Sequence, residues 1–99
     1  MQLSGQVHDL ELLVGRIVAV EDHPGARAPS FLLTLDLGSQ GRRDATFPAS
    51  TYSSEELSGR QVVCALEGDG ASLLTAHSRA KGLVLISPES EVEDGSMIA

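Results

Sequence analysis

The sequence predicts an all-β fold, a small five-stranded Greek-key barrel with a short helix between strands three and four and an extended C-terminal segment. Three observations carry this. The apolar residues fall in short runs rich in Val, Ile, Leu and Thr, with no long stretch at helical spacing. Glycine and proline clusters separate the runs. Only one segment carries a helix-opening signal.

Residues 13–21 and 30–37 read as the first two strands, joined by the loop Asp22-His23-Pro24-Gly25-Ala26-Arg27-Ala28-Pro29. In the second, Phe31, Leu33 and Leu35 share one face while Leu32, Thr34 and Asp36 share the other, as a strand with one buried side requires. Gly38-Ser39-Gln40-Gly41 turns the chain into a more polar third strand around residues 42–47. Ser53 stands three residues ahead of Glu56, the capping-box spacing, and Gly59 closes the helix after little more than a turn. A fourth strand follows at 61–66, a tight turn at Glu67-Gly68-Asp69-Gly70, and a fifth strand at 72–77. A last extended run, 82–87, precedes Pro88 and an acidic tail. Three strands, a helix and two strands is the order of an OB-fold, and other small barrels share it.

Ninety-nine residues enclose a single core, so residues 1–99 are expected to form one domain. Seven basic against fourteen acidic residues give a net charge of −7, with 4 basic and 6 acidic residues in 1–50 and 3 and 8 in 51–99. Such a chain must gather its few cations on one surface to hold a polyanion, and adsorption to an anionic membrane is disfavoured. Met1-Gln2-Leu3-Ser4-Gly5-Gln6 has neither the basic start nor the apolar stretch of a secretion signal, which points to a cytoplasmic protein. The single Cys64 lies in the apolar run Val62-Val63-Cys64-Ala65-Leu66 and reads as a buried small hydrophobe.

Catalysis is not expected. There is no Gly-x-Ser-x-Gly elbow, and Gly68-Asp69-Gly70 is a turn rather than a phosphate cradle. His8, His23 and His77 are scattered, so neither a metal site nor any other cofactor is implied. The candidates for phosphate contacts are Arg16, Arg27, Arg42 and Arg43 around strands one to three, joined by Arg79 and Lys81 in a later turn, since guanidinium offers paired donors to phosphate oxygens. Phe47 and Tyr52 could stack on a base, although core or helix packing is the commoner use of isolated aromatics.

The run Val14-Gly15-Arg16-Ile17-Val18-Ala19-Val20-Glu21-Asp22-His23-Pro24-Gly25-Ala26-Arg27 resembles the opening of the tRNA-binding domain family, which includes free-standing CsaA-type proteins and domains appended to methionyl- and phenylalanyl-tRNA synthetases. The resemblance continues through Leu33-Thr34-Leu35-Asp36-Leu37-Gly38, the segment from Tyr52 to Val63, and Val84-Leu85-Ile86-Ser87-Pro88. It implies an OB-fold that binds tRNA or another structured RNA without catalysis. It also implies a homodimer joined through the segment after Ser87-Pro88, with Val92, Met97 and Ile98 at the interface. Two departures support a second expectation. Leu13 stands where the family usually has arginine, and the loop between strands four and five is shortened to the acidic Glu67-Gly68-Asp69-Gly70. The second expectation is a protein-binding, chaperone-like module whose RNA surface has degenerated.

Overall fold

The computed structural model describes residues 11–99. Strands β1 (Leu12–Asp22), β2 (Ser30–Asp36) and β3 (Arg42–Pro48) come first, with a 3-10 turn at Gly38–Gln40. Helix α1 (Ser54–Leu57) leads to β4 (Gln61–Glu67), β5 (Gly70–Leu73), β6 (Thr75–Ser78) and β7 (Gly82–Leu85). Five strands form one antiparallel sheet in the order β3-β2-β1-β4-β5, and β6 and β7 form a separate hairpin. The sheet curls until its edge strands meet. Arg43 of β3 donates to the carbonyls of Gly68 and Gly70 at 2.8 and 3.1 Å, and a Cβ on Gly70 would stand 3.0 Å from the Asp44 carbonyl oxygen. The result is the nearly closed barrel that the strand order implied.

Strand β1 serves two neighbours in turn. Its first residues, Leu12–Arg16, lie opposite Ala65–Gln61, and its later ones, Arg16–Asp22, opposite Asp36–Phe31. A bulge at Val18 falls within the second pairing. The extra residue bends the strand and reverses which parity faces inward. Leu13 and Ile17 point into the core before it, whereas Val20 packs against the core after it. From β2, Leu33 and Leu35 are fully buried and Phe31 lies against them, the face expected from its alternation. Helix α1 contributes Leu57, also fully buried. Its capping box forms as the spacing predicts: the Glu56 amide donates to Ser53 Oγ at 3.1 Å, and the Ser53 amide to Glu56 Oε1 at 2.8 Å.

The run expected as a single fifth strand is broken at Leu74. Its amide donates to the Val63 carbonyl, but its carbonyl accepts from Ile86, so the chain passes at this residue from the edge of β4 to the β6–β7 hairpin. The amide of Val63 donates to Ile86, which means that β4 shares one edge between β5 and the end of β7. The C-terminal segment returns to β1. Gly95 donates to the Val14 carbonyl, Val14 to Ser96, and Ile98 to Leu12, at 2.7 to 3.0 Å. Pairing with β2 stops at Arg16, so this segment takes up the β1 edge that β2 leaves open. No helix among the described residues is long and apolar enough to cross a membrane.

Candidate nucleic-acid interface

A phosphate-binding surface needs cations whose donors are free, and the structure sorts the basic residues by this test. Arg16 is engaged within the fold. Its guanidinium contacts Glu91, lies 3.2 Å from Asp94 Oδ1 through Nε, and donates through Nη1 to the Gly59 carbonyl at 2.9 Å. The hydrogen bond to Glu91, followed by that to Asp94, raises its pKa above an already high value. Gln61 reinforces the same corner. It is almost wholly buried, donates to the Val92 carbonyl at 2.7 Å and to Asp94 Oδ1 at 2.8 Å, and accepts from the Val92 amide at 3.1 Å. Arg16 and Gln61 thus hold the acidic C-terminal segment on the barrel.

Arg43 is engaged at the seam between β3 and β5, where both of its partners are backbone carbonyls. Arg42 at the start of β3 has a side chain 65% exposed and only a 4.0 Å contact with Asp36. Arg27, Arg79 and Lys81 are exposed, and their side chains make no hydrogen bond or ion pair with any described residue.

Two loops carry these last three cations, and one segment joins the loops. Arg27 lies in the β1–β2 loop, which is closed by the bond from His23 to Ser30 and fastened to the chain after β3 by the Ala49 amide donating to Pro29 at 3.0 Å. The loop and Ala49 enclose an open cleft of about 390 Å³ whose wall includes His23 and Arg27. Arg79 and Lys81 lie in the β6–β7 turn, which is steadied by the Lys81 amide donating to Ser78 Oγ at 3.1 Å. The turn touches Thr51, whose Oγ1 would lie 3.6 Å from a Cβ on Gly82. Ala49 and Thr51 are two residues apart, so Arg27, Arg79 and Lys81 belong to one end of the barrel. Arg42 and the 3-10 turn lie at the other end of β2 and β3.

Arg60 is a cation that the sequence did not single out. It is exposed, and its guanidinium lies over the Tyr52 ring, 5.2 Å from the centroid. Tyr52 is itself fixed, since its hydroxyl accepts from the Leu85 amide at 3.0 Å and its ring lies 6.1 Å from that of Phe47. Phe47 is a core residue, 4% exposed. Tyr52 and Arg60 flank α1, and a Tyr followed by Gly-Arg across a one-turn helix is the only sequence signal that could have suggested the pair.

Among the candidate interface residues, Met97 and Ile98 are 75% and 41% exposed, and Val92 is half-buried with both backbone groups bound to Gln61. Cys64 is fully buried and its thiol is pushed up by desolvation, with Arg43 opposing in part, so it is held as the neutral thiol. Among the described residues no three His, Cys, Asp or Glu side chains gather as metal ligands; His8 lies outside the described residues.

No family model matches the chain. The methionine–tRNA ligases of Thermococcus onnurineus and Pyrococcus abyssi are each 32% identical to it over 97 aligned positions, which span 90% of this chain and 13% of theirs. In fold the chain is similar to the chaperone CsaA from Bacillus anthracis, with a TM-score of 0.88 and 24% identity over 100% of this chain and 99% of that one. The CsaA chaperone protein from Picrophilus torridus gives 0.90 at 21% identity with both chains wholly covered. A MetRS related protein from Pyrococcus horikoshii gives 0.82 at 18% identity, over 97% of this chain and 95% of that one. The chain is thus related to one region of the methionine–tRNA ligases, spanning 13% of their length, and over its whole length it shares the fold of the two CsaA structures.

Proposed function

We propose that the domain is a non-catalytic module that binds tRNA or another structured RNA, acts in the cytoplasm as a homodimer, and meets the RNA backbone with Arg27, Arg79 and Lys81. The observation that carries this reading is the gathering of three exposed cations, free of partners among the described residues, on loops joined through Ala49 and Thr51. A chain of net charge −7 holds a polyanion only where its cations are both clustered and unengaged. Arg16 is engaged through all three guanidinium nitrogens and Arg43 is tied to the β3–β5 seam through Nη1, and Arg42 is left as a secondary contact at the opposite end.

Fluorescence titration with mixed tRNA across a salt series tests the reading. Binding is expected to weaken as salt rises, with a log–log slope of roughly −2 to −3 per protomer. No binding at low salt overturns it. A second reading, a chaperone-like module that binds protein segments, is favoured by the large apolar residues left exposed, Val18, Ile86, Met97 and Ile98. In that case an unfolded polypeptide, rather than tRNA, saturates the protein in the same titration.

The homodimer is supported by the outer surface of the barrel. Ile98, Met97 and Ile86 are exposed there, and Ile98 and Ile86 sit on the segments that hydrogen-bond to β1 and β4, where Leu12 accepts from the Ile98 amide and the Val63 amide donates to Ile86. Replacing both Met97 and Ile98 with Asp is expected to convert a dimer of twice 10.4 kDa into a monomer in light scattering. An unchanged mass moves the interface elsewhere.

A further inference from the structure

On the far side of Arg60 lies a second cleft, of about 290 Å³, bounded by Arg60 and Gln61 on one side and by residues 87–91 on the other. Its size is near the lower end for small-molecule pockets. Arg60 has two faces. One is covered by Tyr52, which does not line the cleft, while Arg60 itself does. The backbone holding it is fixed on both sides: the Arg60 amide donates to Leu57, and its carbonyl accepts from Ile17 at 2.9 Å. Phe47, Tyr52 and Arg60 therefore form a chain of contacts that runs from the core to the cleft wall, with the two rings tilted at 45°.

The opposite wall decides what the cleft can hold. It is lined by Glu89, Glu91, Ser87 and Ser90, with one oxygen of Glu91 already taken by Arg16. The Glu89 carboxylate and the remaining oxygen of Glu91 repel a phosphate but accept hydrogen bonds from a neutral ring that bears amino groups. A guanidinium plane backed by an aromatic ring is a shelf on which such a ring stacks.

We infer that this cleft receives one unpaired, amino-bearing nucleobase, stacked on the free face of Arg60 with its amino group directed to Glu89 and to the Glu91 oxygen that Arg16 leaves free. The inference rests on the RNA-binding reading and deepens it, adding a base-reading site to the backbone contacts of Arg27, Arg79 and Lys81. Cytosine fits and uracil does not, because uracil presents a carbonyl where cytosine presents the amino group.

The chain holds one tyrosine and no tryptophan, so its intrinsic emission comes from Tyr52, behind the shelf. Short oligocytidylate is expected to quench this emission, after correction for absorbance, at lower concentration than oligouridylate of equal length. Arg60→Lys keeps the charge and removes the plane. It is expected to weaken oligocytidylate binding roughly five- to tenfold while leaving the salt slope unchanged. Wild-type affinity in Arg60→Lys, or equal binding of the two oligonucleotides, overturns the base site while tRNA binding still supports the wider reading. A protein that binds neither tRNA nor oligocytidylate overturns both.

Discussion

Replacing Gly95 with Ala is expected to lower the stability of the domain by about 3 kcal/mol, a fall in Tm of roughly 10–20 °C for a chain of this size. Gly95 has a φ of +90°, in the region that L side chains avoid, and an added Cβ would run into the Leu37 carbonyl, 2.9 Å from its carbon. The close approach is reciprocal. Gly38, at φ +61°, faces the Asp94 carbonyl, and a Cβ there would lie 3.1 Å from the carbonyl carbon. Two backbones thus meet with no side chain between them, where the turn after β2 touches the returning C-terminal segment.

The segment has no cheap way to move aside. Leaving would strand the buried amide of Gln61, which spends its hydrogen bonds on Val92 and Asp94, and would break the pairings of Val14 with Gly95 and Ser96. Thermal unfolding followed by circular dichroism, with hydrogen exchange at the Val14 amide, checks the prediction. An unchanged Tm together with unchanged exchange at Val14 would show that the segment does not rely on this close approach.

That juncture also marks how far the sequence could be read. Features set by neighbours a few residues apart are legible: the alternation of Phe31, Leu33 and Leu35, the Ser53–Glu56 capping box, and the glycine and proline turns between strands. The bulge at Val18 is not, because Arg16-Ile17-Val18-Ala19-Val20 contains no glycine or proline to announce that the inward parity changes. The break at Leu74 is hidden for a related reason, since it follows from Val63 having already given its amide to Ile86.

The site follows the same division. Residue type picks out arginines, but whether an arginine is free depends on partners far along the chain. Arg16 meets acids 75 and 78 residues away, and Arg43 meets carbonyls 25 and 27 residues away. Arg60 is missed because its partner lies across a helix in a loop that local patterns read only as packing.

Replacing Arg27, Arg79 and Lys81 together with Ala is expected to weaken tRNA binding roughly 30-fold at low salt, about 2 kcal/mol, and to flatten the salt slope by about 2 to 3. Each cation that neutralises a phosphate releases condensed counterions, so removing the cation removes its share of the salt dependence as well as of the affinity. The substitutions take the net charge from −7 to −10, which by itself repels a polyanion. A variant of equal charge separates the two effects. Ser39→Glu, Gln40→Glu and Arg42→Gln also reach −10, but at the opposite end of β2 and β3, on exposed residues. General repulsion lowers affinity alike in both variants, whereas a local site lowers it mainly in the first, because the first takes away all three cations of that site and the second only the secondary contact of Arg42. All the residues changed are exposed, so circular dichroism and Tm are expected to stay near those of the parent in both. If the second variant loses as much affinity and slope as the first, the RNA backbone does not sit at the end that carries Arg27, and the exposed guanidinium of Arg42 becomes the place to look.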